Sequence, residues 1–350
     1  MTPGFFDVIG ASSQAREGLY LSAANRLGTT VQNVEKDFWV CWTLDALFNG
    51  LALNGPRLLF KGGTSLSKGY GLIDRFSEDI DITVFREDIG EPATMAELEA
   101  LSGKKRAARL EAIKTACQTY IRETLLVALT AIVGRTMRET GSVGLRVTLD
   151  ESDPDGQSLL LWYPSVATSP GSYVRPAVKI ESGAKSALDP HRPVDIRPYV
   201  DDDLRTPGAL TVRAVTTVDP ARTFWDKVVI LHGLRRWYER RGELRGGGQR
   251  VSRHYYDVYR LLRSEVGLAA VTDLDMAGDC VSHARMFFNR PGLDLASAAR
   301  GTFALAPHDG MVAELRRDYA AMATMIFGDI PAFDEVMASV ADLERTVNER

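Results

Sequence analysis

Apolar positions at Val34, Phe38, Cys41, Trp42 and Leu44 recur at helical spacing within VQNVEKDFWVCWTLDALF (31–48), which predicts an amphipathic helix with a mostly aromatic inner face. Leu58, Leu59 and Phe60 then form a short apolar run that stops at Gly62-Gly63, and helical character resumes from Thr64 to Lys68, so the local prediction is strand, tight turn, helix. DIDITVF (79–85) alternates polar and apolar residues before its last pair, as a strand with one buried face does. A long helical stretch from about Thr94 to Glu139 follows, interrupted near Gly103. GLRVTLD (144–150), SLLLWYP (158–164), YVRPAVKIES (173–182) and LTVRAV (210–215) read as strands between Asp/Pro/Gly/Ser loops, and together with the earlier pair they predict a mixed sheet. From Asp219 the pattern is helical only, with Asp219 suited to an N-cap and Pro220 to the first turn. The chain therefore reads as α+β: a sheet-bearing domain over 1–218 and a helical domain over 219–350.

Composition changes this picture little. A 350-residue chain with 45% hydrophobic and 25% charged residues can bury a sizeable core, and its net charge of −4 leaves nucleic-acid binding to a local patch. Cys41, Cys117 and Cys280 are far apart and lack ligand spacing, which argues against a disulfide framework and against zinc. The N-terminus lacks a basic start followed by an apolar run, and no stretch reads as about 18 apolar residues, so the expectation is a cytoplasmic protein without a membrane span.

The candidate chemistry lies between Lys61 and Asp81. Asp79 and Asp81 project from one face of their strand, because side chains alternate with a period of two, and two such carboxylates can share Mg2+ or Mn2+. Taken alone, a DxD pair is more often a solvated strand face. Gly62, Gly63, Thr64 and Ser65 shift that balance: glycines allow close backbone approach, the first helical amides bind anions, and Ser65 adds a hydroxyl. A triphosphate seated there would lie between backbone donors and the metal, with Lys68 as a further nucleotide contact. The common phosphate loop does not fit, since Ser67 stands where its second glycine belongs and Gly69 follows Lys68.

KGGTSLSKGYGLIDRFSEDIDI resembles the first motif of the AbiEii/AbiGii (MenT-like) toxin nucleotidyltransferases, a branch of the DNA polymerase β-like superfamily. Fifteen residues separate Gly63 from Asp79, longer than the superfamily norm and similar to this branch. VEKDFWVCWTLDAL (34–47) resembles the family's leading helix, TFWDKVVIL (223–231) its lysine motif and RHYYDVYRLL (253–262) its late aspartate motif, and the C-terminal segment resembles its closing helices. The resemblance implies a bilobed polymerase β-like nucleotidyltransferase fold and a catalytic set of Ser65, Asp79, Asp81, Lys227 and Asp257. Asp79 and Asp81 would hold the metals, and Lys227 would offset triphosphate charge. Without the resemblance, Lys227 reads as a solvated helix residue, and Asp257 as a partner of Arg253 and Arg260.

Such enzymes often draw a third carboxylate from a later strand. Glu181 is the candidate, although Lys179 and Glu181 share a strand face and could instead pair with each other. Relatives usually read Arg-Asp before the tyrosine of the late motif, where this chain has Arg253-His254. The segment 234–253 holds seven arginines against two glutamates, beside Trp237 and Tyr238. Arg235, Arg236, Arg240 and Arg241 are thus candidate RNA contacts, with a solvated loop as the alternative. No histidine has a cysteine or serine partner at recognisable spacing, which leaves nucleophilic triad chemistry without support.

The resemblance implies transfer of a nucleoside monophosphate from an NTP to RNA, above all a tRNA 3′ end, by the toxin of a toxin–antitoxin pair with a cognate antitoxin as partner. The alternatives are a protein-modifying nucleotidyl- or phosphotransferase and a non-catalytic NTP-binding module.

Overall fold

The computed structural model describes residues 1–167, 175–323 and 325–349. Its residues cluster into two compact units: Met1–Tyr70 with Phe76–Val218, and Gly71–Arg75 with Asp219–Arg350.

The first unit is built on one seven-stranded sheet in the order β3-β4-β5-β2-β1-β7-β6. The strands are β1 (Leu58–Lys61), β2 (Asp79–Val84), β3 (Arg146–Leu149), β4 (Ser158–Trp162), β5 (Ala177–Gly183), β6 (His191–Ile196) and β7 (Val212–Val218). β2 runs antiparallel to β1 and parallel to β5, and β1 runs parallel to β7, so the sheet is mixed and the fold is α+β. Alternation along β2 puts Ile80 and Ile82 in the core and leaves Asp79 and Asp81 half-buried on the other face. Residues 173 and 174 of the expected strand 173–182 lie outside the described residues, and the strand described there begins at Ala177.

β6 was not evident in the sequence pattern. Its residues HRPVDI are mostly exposed and include a proline, features that count against a central strand. It forms an edge, paired on one side to β7 with Pro193 opposite Thr216, where a missing N–H costs no ladder bond on the open side.

The helix Val31–Asp45 corrects the expectation of an amphipathic segment, because every residue from Asn33 to Asp45 is buried. It packs against β2, β5 and β7 as well as against the helix Ser13–Leu27, so it is enclosed on all sides. Trp39 stacks on Tyr163 with ring centroids 5.3 Å apart, and Phe38 packs against Phe5 at 5.4 Å.

The helical stretch after Thr94 divides into Met95–Ala100 and a continuous helix over 103–140 that includes a π-helical turn, Tyr120–Leu125. By length and composition this continuous helix, Gly103–Thr140, meets the test for a membrane span, contrary to the sequence expectation. Its apolar Ile121, Leu125, Leu129 and Ile132 are buried within the unit. Cys41, Cys117 and Cys280 are free and buried.

In the second unit the carboxylate of Asp219 accepts from the Ala221 N–H and caps the helix Pro220–Arg241, with Pro220 in the first turn. The helix Ser252–Leu261 packs against it and against Asp309–Ala323 and Phe333–Glu349. Asp318 accepts from the N–H and the hydroxyl of Ser252 and fixes its start.

Trp39 tests the central packing. Trp39→Ala should cost about 3–5 kcal/mol, because the enclosed site cannot collapse onto the void. Chemical denaturation at neutral pH would measure this, and a loss below 1 kcal/mol would contradict the described enclosure.

Candidate active site

The glycine turn follows β1 directly. Gly62–Thr64 begins a short helix that continues as a π-helical turn, Ser65–Gly69. Gly62 has φ +79°, and a Cβ added there would sit 2.1 Å from Asp81 Oδ2, so a glycine is required for two independent reasons. The backbone of the turn therefore lies directly against the Asp81 carboxylate. Thr64 is fully buried, and its hydroxyl contacts Ser77 Oγ at 2.8 Å and the Asp79 carbonyl at 2.5 Å, tying the turn to the start of β2. Ser65 is also fully buried and donates to the Gly62 carbonyl at 2.8 Å, which makes it a brace of the turn in this structure.

Register alignment places five charged side chains on one sheet face. Lys61 lies opposite Asp81, Asp79 beside Lys179, and Asp81 beside Glu181. Lys61 Nζ is 3.8 Å from Asp81 Oδ1. Lys179 pairs with Glu181 at 2.9 Å and with Asp150 at 3.4 Å. Burial opposes the charge on Lys179, but these carboxylates hold its ammonium above the usual lysine value.

The pairing of Lys179 with Glu181 bears on the expected third metal ligand. Among the described residues no group of three His, Cys, Asp or Glu side chains is placed to hold a metal ion, and Glu181 is engaged by a cation instead. Carboxylates such as those of Asp79 and Asp81 are hard oxygen donors, the kind that divalent cations take together with phosphate oxygens and water.

Lys68 is placed otherwise than the sequence suggested. It is 5% exposed, pairs with Asp37 at 2.7 Å and lies 3.6 Å from the centre of the Tyr199 ring. Burial disfavours its charge, yet Asp37 outweighs that and raises its pKa. In this arrangement the Lys68 ammonium braces the fold through Asp37 and Tyr199.

In the second unit, Asp257 is fully buried and receives two cations. Arg75 grips it bidentately, Nε to Oδ1 at 2.7 Å and Nη2 to Oδ2 at 2.8 Å, while Lys227 Nζ reaches Oδ2 at 2.8 Å. Burial alone would raise the Asp257 pKa, but Arg75 and Lys227 more than offset it and hold the carboxyl well below its usual range. Lys227 is depressed, chiefly by burial and further by Arg75, against the pull of Asp257. Burial with the nearby Lys227 and Arg253 keeps His254 well below its usual value, so its ring is neutral at physiological pH.

Arg75 was missed in the sequence. It sits in the long spacer between Gly63 and Asp79, and its backbone bridges Ile326 while Phe327 N–H donates to the Asp74 carbonyl at 2.7 Å. The extra length of that spacer is what delivers Arg75 to Asp257; the spacing was the available signal.

The four candidate RNA-contacting arginines divide. Arg235 and Arg236 are engaged internally, both by Glu239 (2.6 and 2.9 Å) and by the carbonyls of Ala306 and Thr302 respectively. Arg240 lies 3.4 Å from Asp294 and is half exposed, and exposed Arg241 lies over the Trp237 ring at 5.2 Å. A continuous free guanidinium surface is therefore not what this helix end presents.

The profile of a family described as nucleotidyl transferase AbiEii toxin, type IV toxin–antitoxin system, matches residues 45–339, which include the glycine turn, Asp79, Asp81, Lys227 and Asp257. No curated protein sequence matches the chain. Among solved structures, the nucleotidyltransferase toxin MenT4 of Mycobacterium tuberculosis H37Rv is 18% identical, with 94% of this chain and 97% of that chain covered at a TM-score of 0.40.

Gly62→Ala should displace the Asp81 carboxylate and destabilise the protein by about 1 kcal/mol or more through the left-handed backbone; a variant with unchanged stability would refute the close approach. Arg75→Ala should cost about 3–5 kcal/mol, because it strips the bidentate hydrogen bonds from the fully buried Asp257 carboxylate and leaves it the single Lys227 contact. Since the folded Asp257 pKa is depressed, its stabilisation is complete above the unfolded value of about 4 and is lost as pH falls below it. Acid unfolding of Asp257→Asn should therefore be less steep than that of the wild type.

Proposed function

Because the chain belongs to the AbiEii family of nucleotidyl transferase toxins of type IV toxin–antitoxin systems, we propose that it transfers a nucleoside monophosphate from an NTP to an RNA hydroxyl, with a tRNA 3′ end as acceptor. The acceptor hydroxyl oxygen attacks the α-phosphorus and gives up its proton to solvent, the bond to the α–β bridging oxygen breaks, and pyrophosphate leaves. The observation that supports this reading is the contact of the glycine turn with the carboxylate of Asp81, next to Asp79 on the same strand face.

In this reading Asp79 and Asp81 hold Mg2+ or Mn2+, which when bound supplies Lewis acidity and charge neutralisation. The amides at the start of the turn bind phosphate oxygens, and the alternating charges of Lys61, Lys179 and Glu181 orient what lies over the sheet face. Lys227 enters through its place in the family's lysine motif, and Asp257 fixes its side-chain nitrogen at 2.8 Å. The consequence for the cell is blocked translation, relieved by a cognate antitoxin.

Incubation with total RNA and either α-32P- or γ-32P-labelled NTP tests this. Label should enter RNA from the α position only, and Asp79→Ala or Lys227→Ala should reduce it by about 100-fold or more. Label arriving only from the γ position would show phosphoryl transfer instead.

A further inference from the structure

Glu35, Lys36 and Asp37 are three successive charged residues, all buried, on the central helix Val31–Asp45. Successive side chains on a helix point about 100° apart, so each meets a different part of the chain. Glu35 accepts from the Val166 and Ala167 N–H groups at 2.8 and 3.3 Å and from the Ser165 hydroxyl. Lys36 Nζ lies 2.6 Å from Glu78 Oε2, one residue before Asp79. Asp37 pairs with Lys68 at 2.7 Å, near the end of the turn that begins at Gly62, and accepts from the Tyr199 N–H at 2.6 Å.

We propose that Lys36 and Asp37 are positioning residues of the nucleotidyl-transfer site, fixing the carboxylate strand and the glycine turn relative to one another through Glu78 and Lys68. The inference rests on the reading of the site given above. Turn and strand already meet directly, through Thr64 to Ser77 and the Asp79 carbonyl and through Gly62 packed against the Asp81 carboxylate. The two ion pairs from adjacent positions on one rigid helix add a further tie on each side, from outside the strand and the turn.

Stability alone does not call for these charges, since apolar residues of similar volume commonly replace a buried ion pair without loss. Their geometric value is larger, because a displacement of about 1 Å at a reacting centre can cost about a hundredfold in rate. Lys36 and the Asp37–Lys68 pair are almost wholly enclosed, with side-chain exposures of 5%, 2% and 5%, so water does not loosen them.

The test compares wild type, Lys36→Met, Lys36→Arg and the double variant Asp37→Leu/Lys68→Met by thermal unfolding, by calorimetric Mn2+ titration and by kcat and KM for α-label transfer. The double variant should unfold near the wild-type temperature yet bind Mn2+ about tenfold more weakly or lose about a hundredfold in kcat, with the KM for RNA unchanged. Lys36→Met leaves Glu78 without this cation and should unfold at a lower temperature while showing the same loss of Mn2+ affinity or kcat, and Lys36→Arg should recover most of the function. Wild-type Mn2+ affinity and kcat in a folded double variant, or in Lys36→Met if the double variant does not fold, would overturn the proposal. If the wild type binds Mn2+ but transfers no label, the nucleotidyl-transfer reading fails, and the Mn2+ comparison still decides whether the pairs position the carboxylates.

Discussion

A helix enclosed on every side that carries Glu, Lys and Asp in succession imposes a constraint the rest of the first unit has to satisfy. An isolated buried charge is too costly to persist, so each of the three needs a partner brought from elsewhere in the chain. Glu35 takes the loop after β4, Lys36 takes Glu78, and Asp37 takes Lys68 together with the Tyr199 amide. Four segments distant in sequence are thereby located by one turn of helix. Two of them flank the glycine turn and the Asp79–Asp81 strand, which ties this part of the sheet to the central helix.

The second unit uses the same physics with the signs reversed. Here a single carboxylate, Asp257, is enclosed, and two cations answer it. Arg75 supplies the planar bidentate contact and Lys227 the single one, a division that suits a guanidinium fork and an ammonium point charge. Arg75 reaches this place from within the spacer that joins the turn to β2, so a stretch that looks like excess length between two motifs is a structural element of the unit in which Gly71–Arg75 belong.

Family membership gives these arrangements a reaction class, and the structure places the candidate residues. Asp79 and Asp81 keep partly accessible carboxylates on one strand face. Glu181 is paired with Lys179, Ser65 braces the turn, and Lys68 is committed to Asp37. The sheet face presents charges of alternating sign, which would orient a polyanion and its counterion more closely than a uniformly acidic face.

Local pattern was enough for much of this. The two-residue period around Asp79 and Asp81 gave their common face, Gly62-Gly63 gave the turn, Asp219-Pro220 gave the helix start, and motif resemblance gave the family. These features depend on neighbours a few residues away, so they are written in consecutive positions. The enclosure of Val31–Asp45, the edge strand containing Pro193, the Arg75–Asp257 contact and the burial of Lys68 were not legible in that way. Each depends on a partner tens to hundreds of residues distant, and the sign and reach of a charged side chain do not say whether water or another charge will meet it. Apolar periodicity reports which face avoids water; where charged residues are buried, their partners are chosen by the packing of the whole unit.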